Sequence, residues 1–219
     1  MAEATHTPGA ADRDPRVDGA VDALRRTVLA VRDTWEVVLL FVLVAPLSAL
    51  LGSVGGIVGT IGSAAGVYLV GANRPGSVER GPTSNSLGVR VLLALLAAFV
   101  AGLAILVGLL LLVLPGLYLF TRLYLVVPAV MLGDDGPLEA LGNSWDRTEG
   151  NVLTVAGVAL AVFAASSTVT LGLQFALTGG ISPTELTRTA GIGFAETGGT
   201  LVGGPLGAAA MAVLYDGLE

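Results

Sequence analysis

Residues 37–70 form an apolar stretch without a single charged side chain. As one helix, these residues would extend for about 51 Å at 1.5 Å per residue, whereas the hydrocarbon core of a bilayer is about 30 Å thick. We therefore divide the stretch near residues 51–53 into two spans. Apolar segments of similar length follow along the chain, so the sequence predicts a protein that crosses a membrane several times.

Composition supports this prediction. Only 13% of the residues are charged and the mean hydropathy is +0.81, whereas about 25% charged residues are usual in soluble domains. We expect an all-α transmembrane bundle in a single membrane domain over 17–219, preceded by a disordered cytoplasmic tail over 1–16. The expected six spans lie near 36–51, 53–71, 88–114, 116–132, 152–178 and 197–215.

The distribution of arginine predicts the orientation. All eleven basic residues are arginine; five lie before the first span, three in 71–90 and one in 133–151. The loops on the opposite side contain only Arg188. Because cytoplasmic loops are enriched in basic residues, we expect a multi-pass cell-membrane protein with both termini in the cytoplasm.

Two polar segments have the periodicity of amphipathic surface helices. In 17–33 the apolar positions recur every three or four residues, and Asp22 lies one turn before Arg26. This segment is either a helix on the membrane surface or a polar extension of the first span. The second segment, 137–150, is expected to begin at Pro137 and to place Trp145 at headgroup level.

The helix at 137–150 carries Asp146 and Arg147 on the face opposite Leu138, Leu141 and Trp145. Its simplest role is to return the chain between two spans. Alternatively, it forms a docking surface for a partner or a lipid.

Small residues recur at four-residue spacing on several spans. In membranes such residues allow helices to approach closely, so they predict packing within the bundle or, alternatively, a homo-oligomer or contact with a membrane partner. The main sets are Gly62 and Gly66; Ala94, Ala98 and Gly102; Gly157, Ala161 and Ala165; and Gly199, Gly203 and Gly207.

Arg122 lies near the middle of the expected fourth span, which a Pro-Gly turn connects to the third. Because helical side chains lean toward the helix N-terminus, we expect Arg122 to point toward the outer face. There it would meet Tyr118 and the outer Glu196. It is either a structural arginine or a contact for an anion or a lipid headgroup. Pro128 is expected to kink this span, either structurally or as a hinge.

Several functional classes are disfavoured. The chain has no cysteine, one histidine and a net charge of −6, which argues against thiolate metal sites and nucleic-acid binding. The spans contain no carboxylate pair and no nucleophile beside a base. We therefore expect no enzyme activity, and no catalytic, metal-binding or cofactor-binding residues. The acidic, lysine-free composition is typical of prokaryotic and salt-adapted proteins.

The stretch LPGLYLFTRLYLVVPAV (114–130), the linker GPLEALGNSWDRTEGN (136–151) and the terminal VLYDGL together carry a resemblance. They resemble an uncharacterised group of prokaryotic six-span proteins related to the membrane domain of some bacterial glycerophosphodiester phosphodiesterases. The resemblance implies a six-helix membrane domain without catalysis of its own. Asp216 and Glu219 depart from the basic end that is frequent in this group.

These observations favour a non-enzymatic integral membrane protein with an accessory, scaffold or envelope-homeostasis role. The alternative is a small transporter or channel for an anionic or lipidic solute, in which Arg122 contacts the anion.

Overall fold

A computed structural model describes residues 16–51, 55–73, 86–133, 135–178 and 191–218, without the side chains of 177, 178 and 191–196. The expected tail therefore lies almost entirely outside the described residues. Within them the chain forms nine helices and no strand, which confirms the all-α prediction. The helices are α1 Ala20–Asp33, α2 Trp35–Leu50, α3 Gly55–Ala72, α4 Leu87–Leu111, α5 Val113–Arg122, α6 Val126–Gly133, α7 Pro137–Arg147, α8 Val152–Thr178 and α9 Gly191–Gly217.

Five segments of the described chain are long and apolar enough to cross a membrane. They are Gly55–Ala72, Leu87–Leu111, Val113–Gly133, Val152–Ala176 and Thr197–Gly217. The first expected span corresponds to α2, which is apolar but has only 16 residues. The six-span topology therefore stays a prediction, while the helical membrane-type bundle is established.

Helix α9 lies at the centre of the bundle and packs against α8, α2, α3 and α1. Four of its buried positions are alanine, with Ala209, Ala210 and Ala212 fully enclosed. Alanine provides little volume, so neighbouring backbones approach closely. Helices α8 and α9 are also joined by a hydrogen bond, in which Ser166 Oγ donates to the Gly199 carbonyl at 2.9 Å.

Several of the predicted small-residue faces pack inside the chain. A Cβ atom at Gly62 would lie 2.7 Å from a Val44 methyl, and one at Gly203 would lie 2.6 Å from Ser166 Oγ. A Cβ atom at Gly199 would meet the Thr170 hydroxyl. These positions need glycine because a neighbouring side chain occupies the space. Intramolecular packing is thus confirmed for them.

On α4 the small residues predicted to pack, Ala94, Ala98 and Gly102, do not all lie on the buried face of the helix. Ala94 is buried, but the stripe continues through Ala97 and Ala101 to Gly108. A Cβ atom at Gly102 would have no described atom of another element within 4 Å, so this residue faces away from the bundle. The buried stripe follows the alternating three- and four-residue spacing of a helix face, whereas uniform four-residue spacing drifts around the helix.

Helix α1 packs against α8 and α9 through its small face. Ala23 and Thr27 are buried, while Val21 and Val28 are exposed. The predicted pair forms, with Arg26 Nε 2.8 Å from an Asp22 carboxylate oxygen. The helix begins after Gly19, whose φ of 132° lies in a region that favours glycine. The arrangement fits an amphipathic helix at the edge of the bundle.

Replacing Gly66 with alanine tests this packing. The new methyl group would lie 2.9 Å from Ala208 Cβ and 3.2 Å from Phe41 Cε2, and the short alanine cannot rotate away. We expect Gly66→Ala to lower the free energy of unfolding by about 1–3 kcal/mol, as overpacking does. Unfolding in mixed detergent micelles measures this change.

The control is Gly102→Ala, which adds a methyl group into open space and should leave stability unchanged or slightly higher. Equal losses of stability in both variants would contradict close packing at Gly66.

Candidate functional site

The segment expected as one span over 116–132 is interrupted. Helix α5 ends at Arg122 and α6 begins at Val126. Before α5 the chain reverses at Leu112, which is extended at φ −166°, ψ 146°. The expected Pro-Gly turn is therefore wrong: Pro115 lies in the first turn of α5. Because the first N–H groups of a helix have no intrahelical acceptor, proline loses no hydrogen bond there.

Pro128 explains the position of the interruption. It has no N–H group, and within a continuous helix its ring would clash with the carbonyl of Tyr124, four residues earlier. Val126 N–H bonds to the Leu123 carbonyl at 3.3 Å, a three-residue spacing. The expected kink is thus a break one turn before Pro128, and Pro128 itself lies in the first turn of α6.

Ser144 on α7 bridges the break. Its hydroxyl donates to the Arg122 carbonyl at 2.7 Å and accepts the N–H of Leu125 at 3.2 Å. Ser144 is fully buried. Ser144 therefore provides partners for two backbone groups at the break, with Thr148 Oγ1 also 3.5 Å from the Arg122 carbonyl, and α7 is fixed against the end of α5.

The side chain of Arg122 lies in the same region, between Tyr118 and Trp145. Its Nε donates to the Tyr118 hydroxyl at 2.8 Å, and Nη1 donates to the Trp145 carbonyl at 3.0 Å. The guanidinium carbon is 5.3 Å from the centre of the Tyr118 ring and 4.9 Å from that of Trp145. The two rings meet edge to face, with centres 5.9 Å apart. We call these three residues the Arg122 cluster.

The predicted contact with Tyr118 is confirmed, whereas the expected outward direction of Arg122 stays a prediction. Because α5 ends at Arg122, α7 can reach the guanidinium, and the structure brings Trp145 to it from the linker. The backbone of Glu196 belongs to α9, but its side chain lies outside the described residues. The proposed pair between Arg122 and Glu196 therefore stays a prediction.

The other candidates on α7 have different surroundings. Asp146 is exposed. Arg147 donates from Nη1 to the Tyr215 carbonyl at 2.8 Å, and its guanidinium carbon lies 4.0 Å from the centre of the Tyr215 ring. Its Nε bonds to Asn143 Oδ1 at 2.7 Å. Arg147 therefore connects α7 to the end of α9. Helix α7 begins at Pro137 as expected, although it ends at Arg147 rather than near 150.

Sequence reasoning missed Arg90, which it counted among the loop charges. Arg90 lies in the first turn of α4 with only 4% of its surface exposed, and Nη2 donates to the Val130 carbonyl at 3.3 Å. The signal in the sequence was the position of Arg90, which directly precedes the long apolar run that begins at Val91.

The three arginines share one role. Arg90, Arg122 and Arg147 each donate to a carbonyl in the last turn of a helix. These helices are α6, α7 and α9 respectively. The last four carbonyls of a helix lack intrahelical donors, and positive charge is favourable beside them. The side chains therefore stabilise helix ends, and in hydrocarbon an unsatisfied carbonyl would be costly.

Fold and site together define an all-α bundle of membrane-type helices, stabilised by small-residue packing and by arginines at helix ends. The family model for a domain of unknown function, DUF7847, matches residues 16–217. The chain therefore belongs to the DUF7847 family. Comparisons with curated proteins and with solved structures found no match.

Replacing Ser144 with alanine tests the bridge. The variant leaves the Leu125 N–H without its present partner in a buried place, and it leaves the Arg122 carbonyl with only the longer 3.5 Å contact from Thr148 Oγ1. We expect the free energy of unfolding to fall by about 2 kcal/mol or more, since a buried unsatisfied group costs about 1–3 kcal/mol. Unfolding in mixed detergent micelles provides the measurement.

Thr168→Val is the matched control. Thr168 is exposed on α8, and its hydroxyl bonds within its own helix to the Ala164 carbonyl at 2.7 Å. This variant should change stability by less than about 0.5 kcal/mol. A loss in Ser144→Ala no larger than in the control would refute the bridge.

Proposed function

We propose that the chain is a non-enzymatic integral membrane protein with six spans, both termini in the cytoplasm, and an accessory, scaffold or envelope-homeostasis role. One observation carries the proposal. Arg90, Arg122 and Arg147, which are the charged groups most suited to a passage for anions, each donate to a helix-end carbonyl. Such contacts favour a fixed bundle over a conducting one.

Close packing between helices supports the same proposal. Transport by alternating access requires helices to move against each other around a site near the middle of the membrane. Gly62 and Gly203 leave no space for even a methyl group against Val44 and Ser166. Movement at these contacts would separate surfaces that fit tightly, which favours a scaffold over a transporter.

The resemblance to the membrane domain of certain glycerophosphodiester phosphodiesterases is consistent with an accessory role. In those proteins the catalytic barrel is a separate soluble part. By analogy, the present chain would serve another protein that performs the chemistry. We propose this relationship on the motifs in 114–151 and at the C-terminal end.

A transporter for an anionic or lipidic solute is the second candidate. It is favoured by a cavity of about 270 Å³ between α2, α3 and α9, to which Ser48, Thr197 and Thr200 contribute hydroxyl groups. The residues that line this cavity do not include the Arg122 cluster. A passage that uses Arg122 as its anion contact would therefore need a different route.

The orientation can be tested by cysteine labelling, because the chain has no cysteine. Glu149 is exposed between α7 and α8. We expect Glu149→Cys in intact cells to resist a membrane-impermeant maleimide and to react after permeabilisation. Thr187→Cys, in the linker before α9, should react in intact cells. Labelling with the opposite pattern would reverse the topology.

A flux assay separates the two candidate functions. Proteoliposomes with the purified protein should release trapped phosphate, chloride and glycerol phosphate no faster than protein-free liposomes. In parallel, a photo-crosslinker at the exposed Val21 in cells should yield an adduct with one defined membrane protein. Solute release that disappears in Arg122→Gln would instead establish the transporter. Crosslinks to lipid alone would contradict the accessory role.

A further inference from the structure

The Arg122 cluster lies at the surface of the bundle. Tyr118 is 42% exposed and Trp145 is 38% exposed, and the guanidinium lies half-buried between them. Helix α5 supplies Tyr118 and Arg122, and α7 supplies Trp145. A molecule that approaches this surface from outside can therefore reach both aromatic rings and the arginine.

The guanidinium has hydrogen-bonding capacity that the chain does not use. Arginine has five N–H donors, and in the described structure Arg122 uses one on Tyr118 and one on the Trp145 carbonyl. Its remaining three N–H groups have no acceptor among the described residues, and no described carboxylate forms an ion pair with it. Among the described residues the positive charge is therefore held in place without a carboxylate partner.

The same contacts preorganise the arginine. Two hydrogen bonds and two ring faces fix its plane, so little side-chain freedom remains to be lost when an anion binds. A planar fork of N–H donors matches the oxygens of a phosphate group, which it can bind through two parallel bonds. Phosphate is thus the oxyanion that this arrangement fits best.

The surroundings indicate where such a phosphate comes from. Large apolar side chains are exposed next to the cluster along the chain, with Leu114 and Leu117 one turn or less before Tyr118 on α5. Tyrosine and tryptophan rings beside an apolar surface are typical of the boundary between acyl chains and headgroups. A lipid could place its chains on the leucines and its headgroup on the arginine.

We propose that the Arg122 cluster binds the phosphate of an anionic phospholipid headgroup. Arg122 supplies the charge-assisted hydrogen bonds, Tyr118 and the Trp145 carbonyl position it, and the exposed leucines contact the acyl chains. The proposal rests on the membrane location proposed above and not on the accessory role. A soluble phosphate has the same headgroup chemistry, so the experiment includes both.

The fluorescence of Trp145 reports which lipid lies at the cluster. The chain has two tryptophans, so Trp35→Phe leaves Trp145 alone. The Trp35→Phe protein is reconstituted in phosphatidylcholine vesicles that contain a fixed fraction of phosphatidylglycerol, with bromine on the acyl chains of one lipid or the other. Bromine quenches the fluorescence of a nearby tryptophan. Quenching of Trp145 should show that phosphatidylglycerol occupies the site about tenfold more readily than phosphatidylcholine, as expected for a charge-assisted hydrogen bond.

Two variants assign the preference to the guanidinium. Arg122→Gln should abolish it, and Arg122→Lys, which retains the charge but not the planar fork, should retain only part. Arg25→Gln is the matched control, because it removes one exposed arginine on α1 and should leave the preference intact. The Lys variant keeps the test decisive if Arg122→Gln does not fold.

Inorganic phosphate, added to the same vesicles, distinguishes the two sources. We expect it not to displace brominated phosphatidylglycerol at millimolar concentration. Displacement by free phosphate would assign the site to a soluble anion and overturn the lipid proposal. Equal quenching by both brominated lipids in the Trp35→Phe protein, or an unchanged preference in both Arg122 variants, would also overturn it. The flux assay is independent, so the two proposals can fail separately.

Discussion

The hydroxyl of Ser144 is bonded on both sides, to the carbonyl of Arg122 and to the N–H of Leu125. A membrane provides no water for a broken helix, so the groups opened between α5 and α6 need partners from the chain itself. Because the partner is on α7, the linker must fold back against the break. The same position brings Trp145 to Arg122 and Arg147 to the end of α9. The two hydrogen bonds of Ser144 thus hold α7 against the end of α5 and the start of α6.

Arginine meets a related requirement at helix ends. A short helix such as α6, with eight residues, leaves four carbonyls without an intrahelical donor. Arg90 donates to one of them from the first turn of α4. A guanidinium is suited to such carbonyls because its five N–H donors are spread over a planar fork. Arg90, Arg122 and Arg147 lie beside apolar segments, and each bonds to a carbonyl group at a helix end.

The sequence-based predictions were most accurate where the determinant is local. Apolar runs located the long helices apart from the break between α5 and α6, Pro137 marked the start of α7, and the four-residue spacing of Tyr118 and Arg122 predicted their contact. The contact between Arg122 and Trp145 could not be predicted in this way, because 23 residues separate them and their meeting depends on the break. Ser144 resembles any other serine in the sequence. Its role follows only from the Arg122 carbonyl and the Leu125 N–H, which the break before Pro128 leaves open.

Packing and charge then divide the molecule into two kinds of surface. Inside, glycines such as Gly66 lie against neighbouring side chains with no free space for a methyl group, which opposes sliding between helices. Outside, the half-buried Arg122 retains unused donors beside exposed aromatic and leucine side chains. A bundle that is tightly packed within, and whose surface arginine has no carboxylate partner in the part of the chain that the structure describes, is suited to binding what surrounds it. This asymmetry favours recognition of lipid or protein at the surface over passage of a solute through the centre.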